Sequence, residues 1–425
     1  MKPLYPVATL RQIEHQAGDL DLISRAGAAS AGHLLSCLPD AHHFSIMMGP
    51  GNNGQDALAC ARLLQQAGKH VTLQLLPGKP VSAELANEFA DISSTMPQRW
   101  GDVIVDGLFG IGFNRALDTD TLHLLASANQ ASAIRIALDI PSGLDADLGS
   151  ASQDSFVAHQ TLSFIADKPG FYTAQGRDYC GTVHTFDLGI AQLLPSADLQ
   201  LINRRSDLRM LLRPHESHKG SYGTVAVIGG QRGMIGAALL AARAALHAGA
   251  GKVHVGLIDA ALQVDPAQPE LMLDDAASVL GLPGVDAYVI GPGLGRGEAA
   301  KSCLFTALQK GQPLLIDADG LNLISQDSTL AEALVARKAP TALTPHPAEA
   351  ARLLARSTQD IQARRIDAAR QLATQSGAAV ALKGSGTVCS DGTSTSINGS
   401  GNALLANAGQ GDVLGGIAGA LLAQG

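Results

Sequence analysis

The run AGQGDVLGGIAGALLA places Gly409, Gly411 and Asp412 at the mouth of an apolar helical stretch. Unpaired backbone N–H groups at such a start form an anion hole for a phosphoryl group. Asp412 beside them could accept the proton of a hydroxyl attacking phosphorus, as phosphoryl transfer requires. A plain helix N-cap is the other role open to it. No Walker A sequence is present, so a phosphate grip here has to be built differently. Upstream, ALKGSGTV is an apolar run leading into Lys383, Gly384, Ser385, Gly386 and Thr387. His346 stands between Pro345 and Pro347, which fix the backbone that presents it. Asp317 and Asp319 close PLLIDAD, and YVIGPGLG offers Gly291, Gly293 and Gly295 as a backbone-dominated surface.

The N-terminal half carries a second set. In MMGPGNNGQDALACARLL, Gly49, Gly51 and Gly54 precede a helix expected to begin near Asp56. Glycines let backbone approach a phosphate, and the helix start offers it N–H groups. The spacing is not the GxGxxG of a dinucleotide oxidoreductase. VIVDGLFGIGFNRAL ends one strand in Asp106, and IRIALDIPSGLDAD ends another in Asp139. Ligand clefts of open parallel sheets lie at the carboxyl ends of strands, so Asn53, Asp106 and Asp139 are expected to converge on one cleft. Oxygen-only ligands of this kind suit a hard cation such as potassium or magnesium, with helix capping as the alternative.

The elements that position these groups follow a simple alternation. Short apolar runs within 44–49, 71–76, 102–107, 134–140 and 161–166, then 224–230, 252–258, 287–293, 313–320 and 378–386, alternate with Ala/Leu-rich helical stretches. Strand, glycine turn and helix in succession predict α/β layers with parallel sheets covered on both faces. At roughly 100–200 residues per domain, 425 residues predict two or three domains. The pattern lapses after HTFDLGI, with no strand expected before Thr224, so the joint is placed near 195–212. Only 4% of residues are aromatic while 47 are Gly, so helices must lie close on their sheets through small side chains. A net charge of −8 excludes a nucleic-acid platform, which needs a basic face. The five cysteines are scattered and form no CxxC pair, which suits reduced thiols in a cytoplasmic protein. The thirteen histidines show no metal-ligand spacing. No signal peptide or apolar membrane run is read. The chain stops inside its last helix, from which an incomplete C-terminal domain is expected.

With these motifs laid out, the chain resembles the bifunctional NAD(P)HX repair enzymes end to end. The N-terminal half resembles their epimerase domain through GPGNNGQDALACARLL, VDGLFGIGFNR, LDIPSGLDAD and DKPGFYTAQGRDYCG. The C-terminal half resembles their ADP-dependent dehydratase through HKGSYGTVAVIGG, GMIGAALLAARAAL, GPGLG, DADGLNL, TPHPAEA, LKGSGTV and AGQGDVLGG. The resemblance implies a Rossmann-like three-layer αβα domain over 1–208 and a ribokinase-like αβα domain over 209–425. It implies substrate loops at Asn52, Asn53, Gly54, Gln55 and Asp56, and at Gly110, Ile111, Gly112, Phe113, Asn114, Arg115 and Ala116.

The resemblance also places potassium at Asn53, Asp106 and Ser142, and makes Asp139 a substrate-contacting acid and the candidate acid/base. In the second domain Ala237, Gly293, His346 and Asp412 fall at substrate positions, with Asp412 the candidate base. Lys383, Gly384, Ser385, Gly386, Thr387 and Gly411 fall at the ADP site, with Mg2+ on the ADP phosphates. Gln55 replaces a usual glycine and Gln410 a usual Thr or Met, both at positions expected to meet ligand through backbone. Family members continue past Leu422, so a weakened dehydratase is expected of this chain. The implied partners are NADHX or NADPHX and ADP; a homo-oligomer is expected, and nucleic acid and membrane are not. Two other readings stay open: an ATP-dependent kinase of a small alcohol, and a non-catalytic nucleotide-binding role for the N-terminal half.

Overall fold

The computed structural model describes residues 1–18, 20–112, 115–152, 154–202 and 213–425. The chain divides into two compact units, Met1–Leu201 and Ile202–Gly425. The joint expected at 208/209 lies outside the described residues.

In the first unit the strands are β1 (Lys2–Leu4), β2 (His43–Met48), β3 (His70–Leu75), β4 (Ile92–Ser93), β5 (Val103–Gly107), β6 (Ile134–Leu138), β7 (Gln160–Phe164), β8 (Thr182–Phe186) and β9 (Leu199–Ile202). Seven of them form a parallel sheet in the order β4-β3-β2-β5-β6-β7-β8. Alternation along β5 shows why both faces are apolar. Val103 and Val105 join the core beneath helices Leu22–Cys37 and Asn52–Gln66, whereas Ile104 faces helix Thr119–Gln130. This is the Rossmann-like sandwich the sequence implies. One expectation fails: β9 lies in the stretch thought free of strands, where it pairs antiparallel with β1. Both partners are too short to show periodicity, and only their distant pairing makes them strands.

The second unit contains β10 (Thr224–Gly229), β11 (Lys252–Leu257), β12 (Met272–Asp275), β13 (Ala287–Ile290), β14 (Leu314–Ile316), β15 (Thr341–Leu343), β16 (Ala379–Leu382), β17 (Val388–Ser390) and β18 (Thr395–Asn398). They run in the order β12-β11-β10-β13-β14-β15-β16-β17-β18, parallel through β16 and antiparallel after it. Helices Ile235–His247 and Gln410–Gln424 cover one face through Ala238, Ala241, Ala242, Ala245 and Ala420. The unit is the ribokinase-like αβα domain expected. Glycine permits the closest approach of these helices: a Cβ at Gly416 would overlap the carbonyl oxygen of Ala241. Gly416→Ala should therefore push helix Gln410–Gln424 outward and cost about 1–3 kcal/mol. A urea midpoint matching wild type would contradict this packing.

Among the described residues no helix is long and apolar enough to cross a membrane.

Candidate active sites

In each sheet the strand order reverses once, between β2 and β5 and between β10 and β13, and such a reversal opens a crevice at the strands' carboxyl ends. The loops after β2, β5 and β6 in the first unit border a cavity of about 800 Å³. Asn52, Asn53, Asp56, Gly110, Arg115 and Asp139 are among the residues lining it, with Glu14 and Arg11 from the N-terminal helix. The expected helix start is corrected: the helix begins at Asn52 with Gly51 as N-cap, so Asn52–Asp56 form its opening turns. Gly54 faces the backbone of Gly49, where a Cβ would overlap the Gly49 carbonyl. That close approach lets the helix start beside the strand. Gly54, Gln55 and Ala116 do not line the cavity, whereas Ile111 and Gly112 do; Phe113 and Asn114 lie outside the described residues.

Asp139 follows β6 in a left-handed conformation (φ 60°), which aspartate tolerates better than most side chains. Its Oδ1 is 2.6 Å from Lys168 Nζ, and its Oδ2 accepts from the Ile111 N–H at 3.3 Å. Lys168 is wholly buried and also donates to Ser163 Oγ (2.7 Å) and the Phe164 carbonyl (3.0 Å). All three donors of the ammonium are thus used, as a buried lysine requires. Burial, reinforced by the charges of Asp139 and Glu14, pushes the Asp56 carboxyl up to about 8. Asp56 is therefore mostly protonated at neutral pH and can donate a hydrogen bond.

Asp106 and Ser142 are buried and do not line the cavity. Asp106 accepts from Ser142 N (2.7 Å), Ser142 Oγ (2.7 Å) and Leu108 N (3.1 Å), and Ser142 Oγ accepts from Phe109 N. Complete burial nonetheless raises the Asp106 carboxyl to about 6. Asn53 donates to the carbonyls of Phe109 (3.0 Å) and Leu138 (3.1 Å), while its Oδ1 is buried with no hydrogen-bond partner.

In the second unit the loops after β14 and β16 meet the start of helix Gln410–Gln424 through Asp317 and Lys383, and the loop after β15 joins them where Lys383 N donates to the Pro345 carbonyl. Gly409 caps that helix in a left-handed conformation (φ 87°), which turns the chain so that Gly411 and Asp412 fall in its first turn. Lys383 Nζ is 2.7 Å from the buried Asp317 Oδ1. A Cβ at Gly411 would lie 3.3 Å from that ammonium, so glycine keeps the backbone amide open beside it. Asp412 is raised to about 6 by burial first and the Asp317 charge second, against the pull of Lys383. His346 caps helix Pro347–Leu353, its Nδ1 accepting from Ala348 N at 3.1 Å and Nε2 lying 3.2 Å from Glu349 Oε1. Burial and then the Lys383 and Arg352 charges lower its pKa, which favours neutral imidazole. Gly293 packs on Met234, and Ala237 lies in the first turn of helix Ile235–His247.

Sequence reasoning missed three groups here. Lys168 lies in the DKPGFYTAQGRDYCG stretch that carries the resemblance but was given no role there, because a lone lysine reads as surface. Arg365 is buried and donates to the carbonyls of Leu382 and Lys383 at 3.2 Å each, propping the Lys383–Thr387 loop from behind. Burial pushes its pKa down to about 10, and Gly384 leaves the space its guanidinium fills. Thr344 Oγ1, at the end of β15, is buried without a partner.

The fold is that of a two-part α/β protein with a parallel sheet and a strand-order reversal in each unit. Residues 225–425 match the family described as NAD(P)H-hydrate dehydratase, and residues 19–170 match that described as YjeF-related protein N-terminus. The bifunctional NAD(P)H-hydrate repair enzyme of Coxiella burnetii is 36% identical over 100% of this chain and 91% of its own length. That of Escherichia coli is 36% identical over 98% of this chain and 84% of its own length. The ADP-dependent (S)-NAD(P)H-hydrate dehydratase of Neisseria meningitidis is 45% identical over 55% of this chain and 83% of its own length. The chain belongs to the bifunctional NAD(P)H-hydrate repair enzyme family.

Proposed function

We propose that residues 1–208 interconvert the R and S forms of NAD(P)HX and that residues 209–425 dehydrate the S form with ADP, giving NAD(P)H, AMP and phosphate. The observation that carries this reading is the position of Asp412. It is half-buried in the first turn of a helix, beside an ammonium fixed by Asp317.

In the dehydratase the ring hydroxyl attacks the terminal phosphorus of ADP, Asp412 takes the hydroxyl proton, and AMP leaves. Phosphate then departs with the carbon–oxygen bonding electrons, and loss of a ring proton restores the double bond. Lys383, the Gly384–Thr387 loop and the Gly411 amide would hold the phosphates, with Ala237, Gly293 and His346 lining the substrate side. Asp317 and Asp412 are the two carboxylates that flank Lys383. Mg2+ on the ADP phosphates would supply the compensating charge.

In the epimerase Asp139 would move the proton at the substrate, aimed by Lys168 and the Ile111 amide. Protonated Asp56 and the loops 52–56 and 110–116 would bind the nucleotide. Potassium fits Asn53, Asp106 and Ser142. The unpartnered Asn53 Oδ1, the buried Asp106 carboxylate with only neutral donors, and an all-oxygen ligand set together suit a hard monovalent cation. It would supply positive charge for the substrate's pyrophosphate.

Only ionised Asp412 can accept the hydroxyl proton. Dehydration should therefore slow as pH falls through about 6 and level off above it. A kcat/KM profile for ADP-dependent NADHX dehydration checks this, and a rate unchanged across that range would remove Asp412 as the base.

A further inference from the structure

The edge of the first unit opposite its cleft holds a side-chain cluster that the proposed reactions do not use. His43 and His70 are the first residues of β2 and β3 and are register partners in the parallel ladder. Their rings therefore stand side by side, centroids 4.2 Å apart. Asp91 immediately precedes β4, the next strand, and its Oδ2 lies 3.6 Å from His70 Nε2. One ligand atom from each of the three lies within 4.8 Å of the others. Sequence spacing hides this cluster, because its members are brought together only by the pairing of three strands.

We propose that His43, His70 and Asp91 form a binding site for a divalent transition-metal ion of the Zn2+ type. Two imidazole nitrogens and one carboxylate oxygen are a donor set for borderline ions, whereas potassium or magnesium would prefer oxygen alone. Tetrahedral Zn2+ with bonds of about 2.0–2.1 Å needs ligand atoms roughly 3.3 Å apart. The two exposed side chains, His70 and Asp91, reach that spacing by small rotations. The ligands are also held from behind. Thr72 Oγ1 donates to Asp91 Oδ2 at 2.7 Å and accepts from His43 Nε2 at 2.8 Å, so one hydroxyl orients both side chains and leaves Nδ1 as the His43 nitrogen free to ligate. A Cβ at Gly101 would come within 2.9 Å of His43 Cγ, so the adjoining loop packs directly on that ring.

The test is calorimetric titration of the untagged full chain with Zn2+ alone, repeated with Co2+ to read its visible absorption. Three proteins are compared: wild type, His70→Ala combined with Asp91→Asn, and His184→Ala. His184 belongs to a separate pair with His33, ring centroids 4.5 Å apart, and controls for binding elsewhere. We expect one Zn2+ per wild-type chain, an affinity loss of about tenfold or more in the double variant, and no change in His184→Ala. Both altered side chains of the double variant are exposed, so the fold should survive and NADHX epimerisation should persist. Wild type binding no Zn2+, equal binding by the double variant, or loss only in His184→Ala would each overturn the assignment.

Discussion

Replacing Asp412 by Asn should lower ADP-dependent regeneration of NADH from S-NADHX by about 10²–10⁴-fold, the usual contribution of a general base. R/S interconversion should be untouched, because that chemistry is assigned to the other unit. The substitution preserves shape, and it removes a carboxylate that Asp317 already disfavours. Stability should therefore hold or rise, and a lost rate cannot be blamed on unfolding. Steady-state kinetics at saturating ADP and Mg2+ decide the matter. A decrease of less than about tenfold would mean that the first-turn amides and Lys383 carry the reaction without a base.

The second large effect is expected at the buried pair in the first unit. Asp139→Asn should slow R/S equilibration by a similar factor, about 10²–10⁴-fold, read by chromatographic separation of the two forms. Lys168→Met should slow it as well, by a different route. Lys168 does not line the cavity; it fixes Asp139, and its loss leaves the largely buried Asp139 carboxylate without its counter-charge. Breaking such a pair by removing one partner costs about 3–5 kcal/mol. Lys168 acts through Asp139, so adding Lys168→Met to Asp139→Asn should bring little further loss of rate. Multiplicative losses in the double variant would give Lys168 an independent role. Dehydratase activity in the same proteins reports that the second unit is intact.

The backbone motifs were legible in the sequence because their causes are local. A glycine loop between an apolar run and an Ala-rich stretch already specifies strand, turn and helix start, and the clefts lie where that rule puts them. The error at Asn52–Asp56 is of the same local kind: the helix starts at Asn52 behind its Gly51 cap, four residues before the expected Asp56, where the apolar face becomes visible. Partnerships across the fold were not legible. Lys383 and Asp317 are 66 residues apart in sequence, and Asp139 and Lys168 are 29 apart. Nothing in either local context announces the other. Arg365 reads as one of many charges on an amphipathic helix, yet it is buried against the loop that it supports. The antiparallel pairing of β9 with β1 joins opposite ends of the first unit, beyond the reach of any window.

The most direct test of the central claim follows absorbance at the NADH band from a mixture of R- and S-NADHX with ADP, Mg2+ and K+. Wild type should restore the full signal, with AMP and phosphate released in equal amounts. Asp139→Asn should convert the S fraction and then stall, and Asp412→Asn should restore almost nothing while the two forms still interconvert. If wild type consumes nucleotide without any absorbance gain and a stable phosphorylated alcohol accumulates, the chain is a kinase and the repair reading is contradicted.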